Sequence, residues 1–280
     1  MLDGNVHCSN PVGIALLLLV LASPLGAQQR DLGSAFAPGE RLVFEGKFGL
    51  IRLGQASMEV LADDTVRGEP ARHLVLSISA SLLGVYRLDD RFESWVSRNT
   101  HRSLRFVQEY DESNQQRRNE YEILPDSGYY RQSGIDSPFR TVAEPLDETA
   151  LLYWVRTLDL VPGDTIVVDR YFRPERNPVS IAVLERDTVD VPAGRFATVV
   201  LHPEVPDGGL LFSPEAEARI WISDDDRRLV VQMKVQLMSH VTITLRLKEV
   251  TAPVAPPDGS PPGSNGLLEV GGSSHDGQHH

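Results

Sequence analysis

The acidic run Asp224-Asp225-Asp226 is the densest group of side chains in this sequence that could do chemistry. A calcium-binding loop needs oxygen ligands at alternating positions, a glycine for the sharp turn and a distal glutamate. Here Arg227 and Arg228 follow the acids directly and supply the opposite charge. The run therefore predicts a charged hairpin turn between two strands instead of a cation site.

Other catalytic and metal-binding patterns are missing from the sequence. A hydrolase nucleophile usually lies on a sharp Gly-x-Ser-x-Gly turn, and no such motif is present. The histidines His73, His101, His202 and His240 are far apart and lack the spacing of paired zinc ligands. Among 39 acidic residues no pair stands out as the two carboxyl groups of a glycosidase. We expect no catalytic residues, no metal, no cofactor and no enzyme activity.

Three aromatic residues are the remaining candidates for ligand binding. Tyr153 and Trp154 lie in the one segment with clear helical periodicity, where they could line a cavity next to a sheet. Trp221 falls on the polar side of an alternating strand, which makes it a candidate contact residue because tryptophan is enriched at binding surfaces. Cover of Trp221 by a loop or by the tail is the alternative.

Composition and charge limit the partners. With 41% hydrophobic and 24% charged residues among 280, the chain has the composition of a globular protein. Its formal net charge is −12, and no dense basic cluster interrupts the acidic balance. Nucleic acid is therefore excluded as a partner.

Residues 1–27 are typical of a secretory signal peptide. The apolar run Ile14–Ala22 is followed by Ser23-Pro24-Leu25-Gly26-Ala27, and cleavage is predicted after the small Ala27 and before the polar Gln28-Gln29. A retained anchor or a buried helix is the alternative. The single cysteine, Cys8, precedes the apolar run, so the mature chain would contain no disulfide. We expect an exported protein of the periplasm or cell envelope that is not integral to a membrane after signal cleavage.

The elements that would position any site are mainly strands. The segment Glu217–Lys248 alternates apolar and polar residues with a period of two, which is typical of an antiparallel sheet with one solvated face. One β domain is predicted over residues 40–250, between a flexible lead-in at 28–39 and a disordered Pro/Gly/Ser-rich tail at 251–280. The other predicted strands are Arg41–Phe48, Gln55–Leu61, Arg72–Ala80, Arg91–Arg98, Ser103–Tyr110, Arg117–Leu124, Thr165–Tyr171, Val179–Asp187 and Arg195–His202.

One segment, Asp147–Leu158, predicts a helix. Acids stand at its start and Arg156 in its last turn, as the helix dipole favours. Its apolar stripe must be buried, and the apolar sides of Val231–Leu237 and Val241–Leu247 are the expected floor. The predicted fold is mainly β, with a single antiparallel, strongly curved sheet, half-barrel or barrel-like, and one docked α-helix.

Several short segments carry a resemblance to a known family. They are Gly39–Phe44, Gly54-Gln55-Ala56, Asp147–Arg156, Val191–Phe196 and Ile220–Asp225. In their order and spacing the chain resembles the bacterial DUF3108 proteins, exported proteins of unknown function, over about Gly39–Val250. The resemblance implies an envelope-associated β domain and brings no catalytic residues. The overall plan is also similar to that of bacterial lipoprotein carriers and other half-barrel lipid binders, which is an analogy of fold alone.

The expected function is that of a non-catalytic binding or carrier module of the cell envelope. Its partner would be a lipid, another apolar ligand or an envelope component, because a one-sided sheet offers an apolar surface that a helix can cover. A structural or assembly factor that acts through protein contacts is the alternative. An envelope hydrolase is the third hypothesis and would need acids or histidines that converge in a cleft.

Overall fold

The computed structural model describes residues 36–82, 86–113, 115–206, 217–238 and 241–253. The predicted signal peptide, most of the predicted lead-in, most of the predicted tail and His240 lie outside the described residues.

The described residues form fifteen strands and one α-helix. The strands are β1 (Arg41–Phe48), β2 (Ile51–Val60), β3 (Asp64–Val66), β4 (Glu69–Leu82), β5 (Tyr86–Ser97), β6 (Ser103–Glu112), β7 (Gln115–Leu124), β8 (Tyr129–Gln132), β9 (Phe139–Arg140), β10 (Thr165–Val168), β11 (Val179–Val191), β12 (Gly194–Glu204), β13 (Arg219–Ser223), β14 (Val230–Met238) and β15 (Val241–Thr251). The helix α1 (Glu148–Trp154) continues into a 3₁₀ turn at Val155–Thr157, and two further 3₁₀ turns lie at Pro125–Ser127 and Pro174–Arg176. The short strands β3, β8 and β9 were not predicted, because two to four residues are too few to show a period.

All strands belong to one antiparallel sheet. Its order is β10-β11-β12-β13-β14-β15-β1-β2-β4-β5-β6-β7-β8-β9, with β3 paired to β4 off this path. The two end strands do not pair with each other, so the sheet is open. Outside the named strands, an isolated β-bridge joins Leu146 to Tyr171, and the Thr141 hydroxyl donates a hydrogen bond to the carbonyl of Phe172. The prediction of a mainly β, single antiparallel sheet with one helix is confirmed, whereas the strong curvature stays a prediction.

The inner face of the sheet is the face that carries the main hydrophobic core. Cross-strand register places alternate residues of β1, β2 and β4 on this face, as in the row Leu42, Met58, Leu76 and the row Phe44, Ala56, Ile78. The side chains between them point to the other side, because successive residues of a strand alternate. The period of two in the sequence therefore separates the core from the outer face.

Gly54 lets two neighbouring strands approach each other closely. A Cβ atom at this position would lie 2.0 Å from the carbonyl oxygen of Ser79 and 2.6 Å from the Cα of Ala80. No side chain fits in that space, so glycine is required where β2 passes β4.

A buried carboxyl group fixes the start of α1. Asp147 Oδ1 accepts a hydrogen bond of 2.9 Å from the Ala150 amide, as an N-cap residue does. Its Oδ2 accepts from the hydroxyls of Ser94 (2.6 Å) and Ser103 (2.7 Å) on β5 and β6. The predicted helix is present, but the α-helical part ends at Trp154 because the last turn tightens into 3₁₀ geometry.

Arg156 is fully buried and ties the end of the helical segment to distant parts of the chain. Its guanidinium makes two parallel hydrogen bonds to the carboxylate of Glu40, at 2.7 and 2.9 Å. Its Nε donates to the carbonyl of Arg228 at 2.8 Å, in the turn between β13 and β14. The sequence suggested only a favourable charge at a helix end, whereas the structure shows a paired charge in the core.

The acidic run Asp224-Asp225-Asp226 lies in the connection between β13 and β14, as predicted. Asp225 accepts hydrogen bonds from the Ser223 hydroxyl at 2.6 Å and from the Arg227 guanidinium at 2.7 Å. These hydrogen bonds stabilise the turn.

Candidate functional site

The inner face is covered at one end and partly exposed at the other. Along β4, Leu74 is buried, whereas Ile78 further along is partly exposed. On β15, Leu247 is buried, whereas Leu245 is partly exposed and lies closer to the same end of the sheet as Ile78. We call the covered end, where α1 packs on β4 and β5, the helix end, and the other end the open end.

A cavity of about 210 Å³ lies at the helix end and is called the helix cavity. Its apolar lining includes Phe36, Leu74, Val96, Ala150, Tyr153 and Trp154. Arg72, Arg98 and His101 also line it; the Arg98 side chain is 51% exposed, whereas Arg72 is buried. The helix cavity thus has a mainly apolar and aromatic wall with a few polar groups, of which Arg98 is the one that reaches solvent.

Two of the three sequence-predicted ligand-binding residues lie together in this wall. Tyr153 is fully buried and packs edge-on against Phe36, with ring centroids 5.1 Å apart. Trp154 is buried beneath the guanidinium of Arg170, which lies 5.2 Å from the centre of its ring. The Tyr153 hydroxyl and the Trp154 indole nitrogen are both inaccessible to solvent. The two residues therefore present ring surface to the cavity, and burial raises the pKa of Tyr153 well above its ordinary value.

Phe36 is a member of the site that the sequence placed elsewhere. It falls in the predicted flexible lead-in, yet only 4% of it is exposed. The Arg72 guanidinium donates a hydrogen bond of 2.5 Å to its carbonyl oxygen. An isolated aromatic ahead of the first strand could have signalled a core anchor, but no period supports such an assignment.

An ion-paired group lies next to the helix cavity. Asp63 pairs with two guanidinium groups that line it, with Arg72 Nε at 2.6 Å and with Arg98 Nη1 at 3.0 Å. The half-exposed guanidinium of Arg98 can donate hydrogen bonds to the polar end of a ligand. Sequence reasoning missed this group, because Asp63, Arg72 and Arg98 form no local pattern along the chain.

A second space lies on the other side of α1 and is called the apolar cleft. It has a volume of about 30 Å³, room for little more than a water molecule. Its lining includes Leu76, Ile78, Leu152, Ile220, Met233 and Leu245. The expected floor of α1 is therefore corrected: the helix packs mainly on β4 and β5, whereas β14 and β15 meet Leu152 across the cleft.

Two adjacent carboxyl groups anchor α1 to the sheet. Burial raises the pKa of Asp147 to about 6, although its three hydrogen bonds act in the opposite direction. Glu148 accepts hydrogen bonds from Gln108 at 2.8 Å, from Arg176 at 3.2 Å and from the Tyr171 hydroxyl. Burial and this neighbouring carboxylate raise the pKa of Tyr171 well above its ordinary value. Both carboxyl groups are engaged in holding the helix in place.

Trp221 is distant from the helix cavity and is not exposed. It lies on the outer face as the alternation predicts, but only 5% of it is accessible. Its indole nitrogen donates to Asp187 Oδ2 at 3.0 Å, and Lys234 Nζ lies 5.2 Å from the ring centre. The ring is therefore covered, by side chains of β11 and β14 and not by a loop or the tail, and a role of Trp221 in binding stays a prediction.

Within the described parts of the chain, no three His, Cys, Asp or Glu side chains converge as a metal site would require. Among the same residues, no helix has the length and apolar character needed to cross a membrane.

The fold and the helix cavity define a class of open, single-sheet antiparallel β protein with one helix on its inner face. The family profile named "Protein of unknown function (DUF3108)" matches residues 43–246, and the chain belongs to this family. The family suggested by the sequence segments is thereby confirmed.

Solved structures of similar overall fold come from several bacteria. A β-barrel-like protein of the DUF1849 family from Brucella abortus is 10% identical, with a TM-score of 0.48, over 77% of this chain and 98% of that one. A candidate lipoprotein from Parabacteroides distasonis is 9% identical, with a TM-score of 0.33, over 77% and 97%. A candidate exported protein with a YmcC-like fold from Bacteroides fragilis is 11% identical, with a TM-score of 0.32, over 77% and 98%. A comparison with curated proteins finds no match.

Proposed function

We propose that this chain is an exported, non-catalytic protein of the cell envelope that binds an apolar ligand in the helix cavity. The observation that carries the proposal is the lining of that cavity: aromatic and aliphatic side chains form most of the wall, and a few charged side chains stand among them. Ligand sites commonly combine an apolar wall with a few placed polar groups. The half-exposed guanidinium of Arg98 favours a ligand with an anionic or hydrogen-bond-accepting end.

The size of the helix cavity limits what it holds. Its 210 Å³ is below the roughly 300 Å³ at which pockets for drug-sized molecules begin. The ligand is therefore a short-chain amphiphile, or a longer one of which only the apolar end enters. Export is supported by the apolar run and small residues that precede Gln28 in the sequence.

A strongly curved, half-barrel sheet belongs to the same proposal. Residues of β4 and β13 line the same apolar cleft although four strands separate them in the sheet. Four strands at about 4.8 Å spacing would keep these residues far apart in a flat sheet. Their common cleft supports a sheet that bends around α1.

A non-catalytic role is supported by the two carboxyl groups at the start of α1. Asp147 caps α1 and accepts from two serines, and Glu148 accepts from Gln108, Tyr171 and Arg176. A general acid or base needs a free position toward a substrate, and these contacts use both groups for anchoring.

The alternative, an assembly factor that acts through protein contacts, has one observation in its favour. β10 is an end strand of the sheet, and its Val167 is 58% exposed. An exposed edge can pair with a strand of another chain. Four residues make a short edge, however, and short edge strands are a common way to prevent such pairing.

The test is to fill the helix cavity from its helix side. In Ala150→Leu, the added carbons should occupy cavity volume, and leucine is compatible with a helix interior. Labelled decanoate in equilibrium dialysis is the probe, because it combines an apolar chain with a carboxylate. We expect saturable binding by the wild type and about tenfold or more weaker binding by the variant, since each displaced methylene is worth about 0.8 kcal/mol.

The matched control is Ala197→Leu, which makes the same change at an exposed position of β12. It should bind decanoate as the wild type does. Equal affinity of all three folded proteins, or no saturable binding by the wild type, would contradict the proposed site. A stoichiometric protein partner recovered by cross-linking in the envelope, without bound lipid, would favour the assembly role.

A further inference from the structure

The turn between β1 and β2 exposes two large aliphatic side chains next to each other. Leu50 is fully exposed, and Ile51 is 54% exposed. Leu50 is the most exposed large hydrophobic residue in the parts of the chain that the structure describes. The turn is tight, with Gly49 at a φ of +57°, so both side chains project at the tip of a hairpin. We call Gly49, Leu50 and Ile51 the hairpin tip.

Two cationic side chains, one on β1 and one on β2, lie next to the hairpin tip. Lys47 and Arg52 are opposite each other in the β1–β2 register. Like charges in this position destabilise a strand pair, so the fold gains nothing from the arrangement. Lys47 pairs with Glu45 at 2.8 Å, whereas Arg52 makes no ion pair with any described residue. Exposed aliphatics with cations behind them are the pattern of segments that lie in a lipid headgroup region.

The position of the hairpin tip in the fold is the second observation. It lies at the open end, where the apolar inner face is partly exposed: Phe48 and Ile243 are paired neighbours on β1 and β15, and both are partly exposed. Most described connections at the helix end are polar instead. They include Asp63 after β2, Asn99-Thr100 after β5, Asp126 after β7 and Asp224–Asp226 after β13, whereas Pro192-Ala193 after β11 is apolar. The two ends of the sheet therefore differ in character, and the exposed aliphatics belong to the end where the apolar face opens.

We propose that the open end of the sheet docks on a phospholipid surface, with Leu50 and Ile51 entering the headgroup region and Lys47 and Arg52 facing anionic headgroups. The acidic balance of the whole chain, −12, disfavours adsorption to an anionic surface in general, so the cations beside the exposed aliphatics would set the orientation of docking. The hairpin tip is remote from the helix cavity, so this inference goes beyond the proposed ligand binding and does not depend on it.

The test is flotation of the exported chain, as the cell processes it, with vesicles of three parts phosphatidylcholine and one part phosphatidylglycerol. The wild type should float with the vesicles. The double variant L50S/I51S should have a partition coefficient lower by about tenfold or more, because two aliphatic side chains no longer leave water. Its melting temperature should change little, since Leu50 is fully exposed and Ile51 about half exposed, and such side chains contribute little to stability.

Two further variants test the contribution of charge and the importance of the position of the exposed aliphatics. Arg52→Glu should weaken binding to the mixed vesicles and leave binding to pure phosphatidylcholine unchanged, because the anionic headgroups are then missing. Val167→Ser removes from the end strand β10 an aliphatic side chain about as exposed as Ile51, and this variant should bind vesicles as the wild type does.

Three results would overturn the proposal. They are no flotation of the wild type, equal flotation of L50S/I51S, and a wild-type dimer in solution that L50S/I51S converts to a monomer. The last would identify a second copy of the chain as the occupant of the hairpin tip. Decanoate binding by L50S/I51S should equal that of the wild type, so failure of the ligand proposal and failure of membrane docking give different results.

Discussion

Replacing Asp147 by asparagine tests whether the cap of α1 is a desolvated carboxyl group. The asparagine keeps an acceptor for the Ala150 amide, so the helix retains an N-cap. The change removes a group whose pKa burial raises to about 6, from an ordinary value of 3.8. The hydroxyls of Ser94 and Ser103 can rotate to meet the new side chain.

The expected change in the free energy of unfolding follows from the linkage between protonation and folding. Because its pKa is higher in the folded state, the carboxyl group binds protons more tightly there, and its contribution to stability is lost as the pH rises from about 4 through about 6. A shift of about two pKa units corresponds to about 3 kcal/mol in total, of which about 2 kcal/mol falls between pH 4 and pH 7. Relative to the wild type, Asp147→Asn should therefore gain about 2 kcal/mol of stability between pH 4 and pH 7.

The assay is urea unfolding at pH 4, 5, 6 and 7, followed by tryptophan fluorescence. Asp126→Asn, which removes an exposed carboxyl group from the turn after β7, corrects for the general effect of losing one negative charge. A stability difference between Asp147→Asn and the wild type that is constant with pH would refute the reasoning. A difference that moves in the opposite direction would show that the hydrogen bonds to the carboxylate outweigh its burial.

Two further predictions concern the frame that holds the site. Gly54→Ala should lower the free energy of unfolding by about 3 kcal/mol or more, because its Cβ would overlap the backbone of β4. Gly46→Ala should cost less in the same urea titration, because its tightest contact would be the end of the Leu245 side chain at 3.3 Å. Glu40→Gln should destabilise the fold by about 3–5 kcal/mol, because it removes the carboxylate charge that faces the buried Arg156 guanidinium. The double variant E40L/R156M should lose less stability in calorimetry than Glu40→Gln does, because it removes both charges. An equal or larger loss of stability would contradict a dominant charge penalty.

The same contacts explain why α1 can act as a wall between two spaces. Its first turn is fixed to β5 and β6 through Asp147 and Glu148, and Arg156 just beyond it is fixed to Glu40. A helix of seven residues has little stability of its own, so these tertiary contacts determine its position. The helix cavity and the apolar cleft consequently depend on polar anchors that touch neither space directly.

Much of the fold was predictable because strand periodicity is a local property. The predicted strand Arg41–Phe48 agrees with β1 at both ends, and Asp147 was correctly taken as the start of the helix. Each assignment needed only a few neighbouring residues. Of the site, the sequence identified Tyr153 and Trp154, because both belong to the one segment with helical spacing.

The errors concern contacts between distant residues. Alternation correctly placed Trp221 on the outer face, but its cover comes from Asp187 and Lys234 on neighbouring strands. Phe36 looked like part of a lead-in until Arg72 and Tyr153 were placed beside it. In neither case does the local sequence contain the partner.

The sequence by itself therefore determined which residues form strands, which side of each strand is apolar, where the helix begins and which family the chain belongs to. Only the tertiary structure decided that the sheet stays open, that Glu40 pairs with Arg156 across 116 positions, and that the helix cavity and the hairpin tip lie at opposite ends. The physical reason is that a period of two depends on backbone geometry within one strand, whereas these features depend on strand order and register.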